Sequence, residues 1–260
     1  ALRASNPDLS SALKGEQAGS GPGRALSFRN FLVVGQVAAS LALLVSAGVL
    51  LRSLQVAQGI DPGFDPEGIV TVELDLTQGA YSAIEGRQFF DQLAARVAEA
   101  PDVESVALAI DLPLDGSRWL NTIVPEGFEL EADEQIIAGE NRVSANYFEV
   151  LRTPMVQGRT FTDAEIAAGA LVVVVNEALA DRFWPDGALG RRLRIEGGEA
   201  AQIIGVVHNA KYSNLGESPA PIHFWRPYES GYTSVIQLVA RARTDSRALI
   251  PTIRRLVREA

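Results

Sequence analysis

The chain has 260 residues, a formal net charge of −9 and no cysteine. Without thiols it can form no disulfide, no thiolate nucleophile and no Cys-type zinc site. Its acidic balance argues against nucleic acid as a partner, and 47% apolar content over this length is enough for one or two compact units.

Residues 1–30 are rich in Ser, Gly, Ala and Pro and lack apolar periodicity, which predicts a linker. Within them, Gly19-Ser20-Gly21-Pro22-Gly23 is no phosphate loop: it lacks the lysine, and Pro22 removes an N–H donor. Phe31 to Leu51 then run 21 residues without a charge. At 1.5 Å per residue they span about 32 Å as a helix, which matches a hydrocarbon core of about 30 Å. A buried core helix would show a polar stripe, and a cleaved signal has a shorter apolar run. The segment to Arg52 is therefore predicted to cross a membrane. Residues 1–52 carry five Lys/Arg against two acids, and the rest carry 18 against 30, a net of −12. This bias predicts a cytoplasmic N-terminus and an exported acidic domain.

Asp61-Pro62-Gly63-Phe64-Asp65-Pro66 ends the helix. Val70, Val72, Leu74 and Leu76 alternate with polar residues and predict a half-buried strand. Ser82 with Glu85 forms a capping box, and the helix that follows carries Phe89, Phe90, Leu93 and Val97 and stops at Pro101. Val103–Ile110 is a second strand. Asp111 to Gln135 is polar and reads as a loop with Trp119 and Phe128 as isolated anchors.

A strand is predicted near Gln135–Val143, then a short helix Tyr147–Arg152 capped by Asn146, a short element ending at Gly158-Arg159, and a second capping box, Thr162 with Glu165. Leu171–Val175 reads as a strand buried on both faces, and Glu177–Trp184 as a helix stopped by Pro185 and Gly187. Arg191–Ile195 and Ala201–Val207 flank Gly197-Gly198 as a hairpin. Ile222–Trp225 reads as a short edge strand. Val235–Ala242 is a strand, and Asp245 caps a helix with Ile250, Ile253, Leu256 and Val257 on one face. Pro251 predicts a late start or a kink there. The pattern continues to Ala260 without a stop signal, as in a slice of a longer chain.

Chemistry-bearing motifs are scarce. His208 and His223 are too few for a zinc site and are placed at strand ends. No Walker-type loop and no G-x-S-x-G elbow occur. Asp111, Asp115, Glu129, Glu131, Asp133 and Glu134 have no spacing that sets two across a cleft and read as a solvated surface. The residues therefore offer no catalytic, cofactor-binding or metal site. Gly158, Gly190 and Gly205 fit tight turns or close backbone approach, and Trp184-Pro185 a helix stop.

Six blocks in order carry a resemblance. RNFLVVGQVAASLALLVSAGVLLRSL, with Arg52 and Ser53 at its exit, is followed by DPGFDPEGIVTVELDL and FFDQLAARVAEAPDVESVALAIDLPL. Then come Tyr147, Phe148, Gly158, Arg159 and Phe161; Asn176, Glu177, Trp184, Pro185 and Gly190; and Gly205, Val206, Val207, Pro227 and Tyr228. Together they resemble the MacB-like periplasmic core domain of FtsX-like ABC transporter permeases, over roughly residues 25–260. Ala12 to Glu16 resembles the connector between the halves of duplicated permeases.

The resemblance implies an α+β chain: one N-terminal transmembrane helix, then a two-subdomain periplasmic α/β domain with an inserted β-rich subdomain. It divides the sequence into a cytoplasmic linker (1–30), a transmembrane helix (31–52) and the core domain (53–260). In the last, 68–111 and 234–260 form a porter-like subdomain around the insertion 112–230. The implied location is the bacterial inner membrane. The implied partners are the lipid bilayer, a separate cytoplasmic ATPase subunit, a second permease half or an identical copy, and a periplasmic adaptor, with no cofactor. Members export macrolides or lipoproteins or regulate wall enzymes, through conformational change rather than catalysis. A membrane-tethered binding or sensing domain without an ATPase is the alternative class, and a tethered enzyme the third.

Overall fold

The computed structural model describes residues 22–79, 81–116, 119–129, 134–195 and 197–260. It divides into two units, residues 1–59 and 60–260. The first unit is helix α1, Pro22–Gln58, which extends past both ends of the predicted segment. Residues 22–30 are therefore helical, not linker, and proline is favoured at a first helical position because its missing N–H has no partner to lose. Within α1, Asn30–Val56 is long and apolar enough to cross a membrane, and none of it is buried against the chain. The Ser46 hydroxyl donates to the Ala42 carbonyl at 2.8 Å, which satisfies it inside the helix.

The second unit opens with β1 (Ile69–Asp75), α2 (Ala83–Ala98) and β2 (Val103–Ala109). It closes with β10 (Val235–Ala242) and α6 (Ser246–Glu259). Between them lie β3 (Leu120–Pro125), β4 (Ile136–Val143), α3 (Tyr147–Val150), β5 (Met155–Gly158), α4 (Asp163–Ala167) and β6 (Val172–Asn176). These are followed by α5 (Glu177–Phe183), β7 (Arg192–Ile195), β8 (Ala200–Val207) and β9 (His223–Pro227).

β10 lies between β1 and β2, antiparallel to both. Alternation sorts its side chains: Ile236, Leu238, Ala240 and Ala242 join Phe90, Leu93 and Val97 of α2 and Leu249 and Ile253 of α6 in one core. Both capping boxes form, at Ser82/Glu85 and at Thr162/Glu165. Asp245 caps α6. This helix begins at Ser246 and carries Pro251 in its interior, so the expected late start is corrected.

The remaining strands pair in the sequence β4–β3–β7–β8–β6–β9, and β9 then pairs back to β4. They close a ring of six strands. Each contributes to a second core, through Ile123, Ala138, Leu193, Ile203, Val175 and Phe224, with Leu179 and Phe183 of α5 packed on it. The region read as a loop from Asp111 to Gln135 contains β3, held by β4 on one side and β7 on the other. The predicted edge strand at Ile222–Trp225 is interior to the ring: β9 is parallel to β4 and antiparallel to β6. All five residues of β6 are buried. At Gly205, opposite Gly158 in the β5–β8 pairing, a Cβ would sit 2.3 Å from the Arg159 carbonyl oxygen, so only glycine fits. Ring and three-stranded sheet meet at one ladder pair, Ala109 with Val143.

Candidate functional site

The residues that follow α1 in the chain are fastened to the folded domain by a clamp. The Asp61 carboxylate accepts from the Gly63 amide at 2.8 Å and turns the backbone. Gly63 has φ +82°, and a Cβ there would fall 2.0 Å from the Asn209 carbonyl oxygen. Close approach and left-handed backbone both demand glycine. The Lys211 amide donates to the Pro62 carbonyl and the Asp65 amide to the Leu151 carbonyl, both at 2.9 Å.

Arg241 of β10 completes the clamp. Its side chain is 2% exposed. Nε donates to the Val150 carbonyl at 2.6 Å, Nη1 to the Glu67 carbonyl at 2.6 Å, and Nη2 to the Asp65 carbonyl at 2.8 Å. Nη1 also lies 3.3 Å from the Asp65 carboxylate. One guanidinium thus ties the lead-in segment and α3 to the central strand. Arg152, with φ +52°, reaches the Asp65 carboxylate at 2.9 Å and Glu104 of β2 at 3.3 Å.

The Glu67 amide, and then the Arg152 guanidinium, hold the Asp65 carboxyl below the usual range. Arg241 shifts the opposite way from what pairing alone would give, because burial outweighs Asp65. It stays a cation, as guanidinium does throughout proteins. The arrangement contains no nucleophile with a base; its bonds fasten the lead-in segment and α3 to β10.

A second polar cluster sits where sheet and ring meet. Asp111, Asn141, Tyr147, Tyr212, His223 and Trp225 are all buried. Asn141 accepts from the Asp111 amide at 3.2 Å and donates to its carbonyl at 2.8 Å. The Asp111 carboxylate accepts from the Leu112 amide at 2.9 Å. His223 stacks on Tyr212 with ring centres 4.0 Å apart. Burial pushes the hydroxyls of Tyr147 and Tyr212 far up, so both stay protonated.

Asp111 therefore belongs to the core, and its reading as solvated surface is corrected. Asp115, Glu129 and Glu134 are exposed, while Glu131 and Asp133 lie outside the described residues. His223 opens β9, and His208, just past β8, sits 2.7 Å from the Glu177 carboxylate. Asn146 precedes α3 but does not cap it: its amide donates to the Val106 carbonyl at 2.6 Å. Trp119 is exposed, whereas Phe128 packs edge-on against Phe183 at 5.1 Å. Arg241 was missed by sequence reasoning, although a lone charge in the apolar strand Val235–Ala242 is its signal. Asp65 and Arg152 gave none.

The profile of the MacB-like periplasmic core domain matches residues 30–256. Among solved structures, the periplasmic region of MacB from Actinobacillus actinomycetemcomitans is similar at a TM-score of 0.53 and 15% identity, covering 76% of this chain and 85% of that one. The extracellular domain of the noncanonic ABC-type transporter YknZ from Gram-positive bacteria aligns at 0.46 and 15%, over 71% of this chain and 88% of that one. No curated protein matches. At 15% identity the likeness to the MacB region is one of fold.

Proposed function

The chain belongs to the family of MacB-like periplasmic core domains of ABC-type transporter permeases, and from this premise we propose that its folded unit transmits ATP-driven movement to the far side of the inner membrane. In this reading α1 spans the bilayer with its N-terminus in the cytoplasm, as the basic bias of residues 1–52 favours. A cytoplasmic ATPase subunit hydrolyses ATP, and a second permease half or an identical copy is the mate against which the domain repacks. A periplasmic adaptor is a further partner in the same scheme. Movement passes by biasing two discrete arrangements, without a catalytic residue.

One observation carries the proposal: the residues following α1 are fastened to β10 through Arg241. A displacement entering at residue 60 reaches the sheet rather than dissipating in a slack linker. We also divide the domain into 68–111 with 234–260 and an inserted 112–230. Cores around α2 and α6 and inside the ring support that division, and a third core, with Ala107, Val239, Val143 and Trp225, joins the two parts.

The test uses the absence of cysteine. Arg96→Cys, at an exposed position of α2, carries a spin label that reports the distance to the same label on the mate. In the complex with its ATPase, that distance is expected to change between nucleotide-free and ATP-trapped states, and the change to shrink in Arg241→Met. A distance that stays fixed while ATP is turned over would defeat the transmission reading and favour a tethered sensor.

A further inference from the structure

A cleft of about 450 Å³ opens at one end of the ring. Every ring strand reaches it: Asn121 from β3, Arg142 from β4, Val172 from β6, Ile195 from β7, Ala201 from β8 and Arg226 from β9. It is the mouth of the ring, and barrel mouths are recurrent ligand sites at volumes of this size.

Its polar wall is built at a cost. The parallel register of β4 and β9 sets Arg142 directly opposite Arg226. Like charges in paired positions repel. A single buried carboxylate serves both: Glu140 accepts from Arg142 Nε at 3.1 Å and from Arg226 Nη1 at 3.3 Å, and from Asn121 Nδ2 at 2.8 Å. Its side chain is 3% exposed, against 18% and 23% for the two arginines. Each guanidinium has five N–H donors. Among the described residues each donates through one nitrogen, to Glu140; Arg142 also packs against Gly231, and both side chains line the mouth.

Two cations against one buried anion leave one positive charge within this trio. Glu199 stands exposed on the rim, where water and salt screen it. Glu229 also lines the mouth, and burial shifts its carboxyl above the usual range. The lining also has an apolar part, with Ile166, Ala170, Leu171 and Ile195.

We propose that the mouth of the ring binds a monocarboxylate with an apolar body, its carboxylate on donors of Arg142 and Arg226 that Glu140 does not use and its body against Ile166, Ala170 and Leu171. Guanidinium binds carboxylate through paired donors in a fixed plane. With Glu140 between the arginines and Glu199 and Glu229 on the lining, the mouth holds too little positive charge for a phosphate dianion. Such a ligand is either a free organic acid or the C-terminus of an apolar peptide. This inference does not rest on the transmission reading.

The experiment is calorimetric titration of the full chain in phosphatidylcholine nanodiscs. The probes are 4-phenylbutyrate, its neutral amide, and N-acetyl-Leu-Phe as the free acid. Both acids are expected to bind, and the amide to bind about tenfold or more weakly. Arg226→Gln should weaken both acids by a similar factor. Because that change disturbs Glu140, Gly198→Trp provides a second variant. A Cβ at Gly198 meets only the Ile195 carbonyl oxygen, at 3.5 Å, so the indole can fill the mouth without strain in the hairpin. It should abolish binding with an unchanged unfolding midpoint. Tighter binding of the peptide identifies a chain terminus as the ligand, and tighter binding of phenylbutyrate a free acid. Equal affinity for acid and amide, no binding up to about ten millimolar, or full affinity in Gly198→Trp overturns the assignment.

Discussion

Arg241 shows how one side chain can hold a fold together from its middle strand. Its donors satisfy carbonyls of Val150, Asp65 and Glu67, all in the interior or at its margin. Arg241→Met keeps the volume and removes the donors. Unfolding by urea is expected to show a loss of about 3–5 kcal/mol, the range for breaking a buried charged contact from one side. A loss below about 1 kcal/mol would mean that water replaces the donors. Glu165 behaves differently, because it lies near the surface. Arg159 holds it through both guanidinium nitrogens, with Thr162 assisting, and its carboxyl falls from the ordinary 4.5 to about 2. The folded value is the lower one, so this contribution is complete above about 4.5 and fades as pH falls toward about 2. A carboxyl-detected NMR titration should find Glu165 at about 2, and higher in Arg159→Met, though still below 4.5 because the Thr162 hydroxyl and amide remain bonded to it. Of these residues the sequence announces Arg241, as a charge among apolar neighbours. It conceals Asp111, whose burial depends on Asn141, 30 residues away.

Elements set by nearest neighbours were legible. Both capping boxes need only residues three apart, and α2, β1 and β10 follow periodicity alone. Asn146 was misread because its side chain serves Val106, 40 residues earlier in the chain. β3 was missed for the same kind of reason: Leu120–Pro125 is short and polar at its start, and β4 and β7 supply its hydrogen bonds. For α1, composition suffices. Leu43→Arg, at an exposed position of that helix, should weaken insertion by about 2.5–3.5 kcal/mol. Carbonate extraction of membranes checks this; full retention of the variant would argue against a spanning helix.

Across the whole folded unit, two bodies of packing share a seam filled by a third core, in which Ala107 of β2 and Val239 of β10 pack with Val143, Val174, Val207 and Trp225 of the ring. The three-stranded sheet and the ring meet through the Ala109–Val143 pair, with the Ser144 amide to the Leu108 carbonyl at 2.9 Å beside it. Phe224 is fully buried in the ring. Phe224→Ala is expected to cost about 3–5 kcal/mol. Hydrogen exchange should then show ring amides losing protection while those of β1, β10 and β2 keep theirs. Uniform loss across both bodies would show that the seam couples them into one cooperative unit. The topology behind this was beyond the sequence, since no local signal tells β9 to lie between β4 and β6.

Closure of the six strands also governs growth and self-association. A circuit without ends has no vacant row of amides and carbonyls where a foreign strand could attach. Among the described residues such rows remain on β1, on the four-residue β5 and on β2 ahead of its one ladder pair with β4. Lateral recruitment of another polypeptide, whether useful or pathological, therefore falls to those margins and not to the circuit itself.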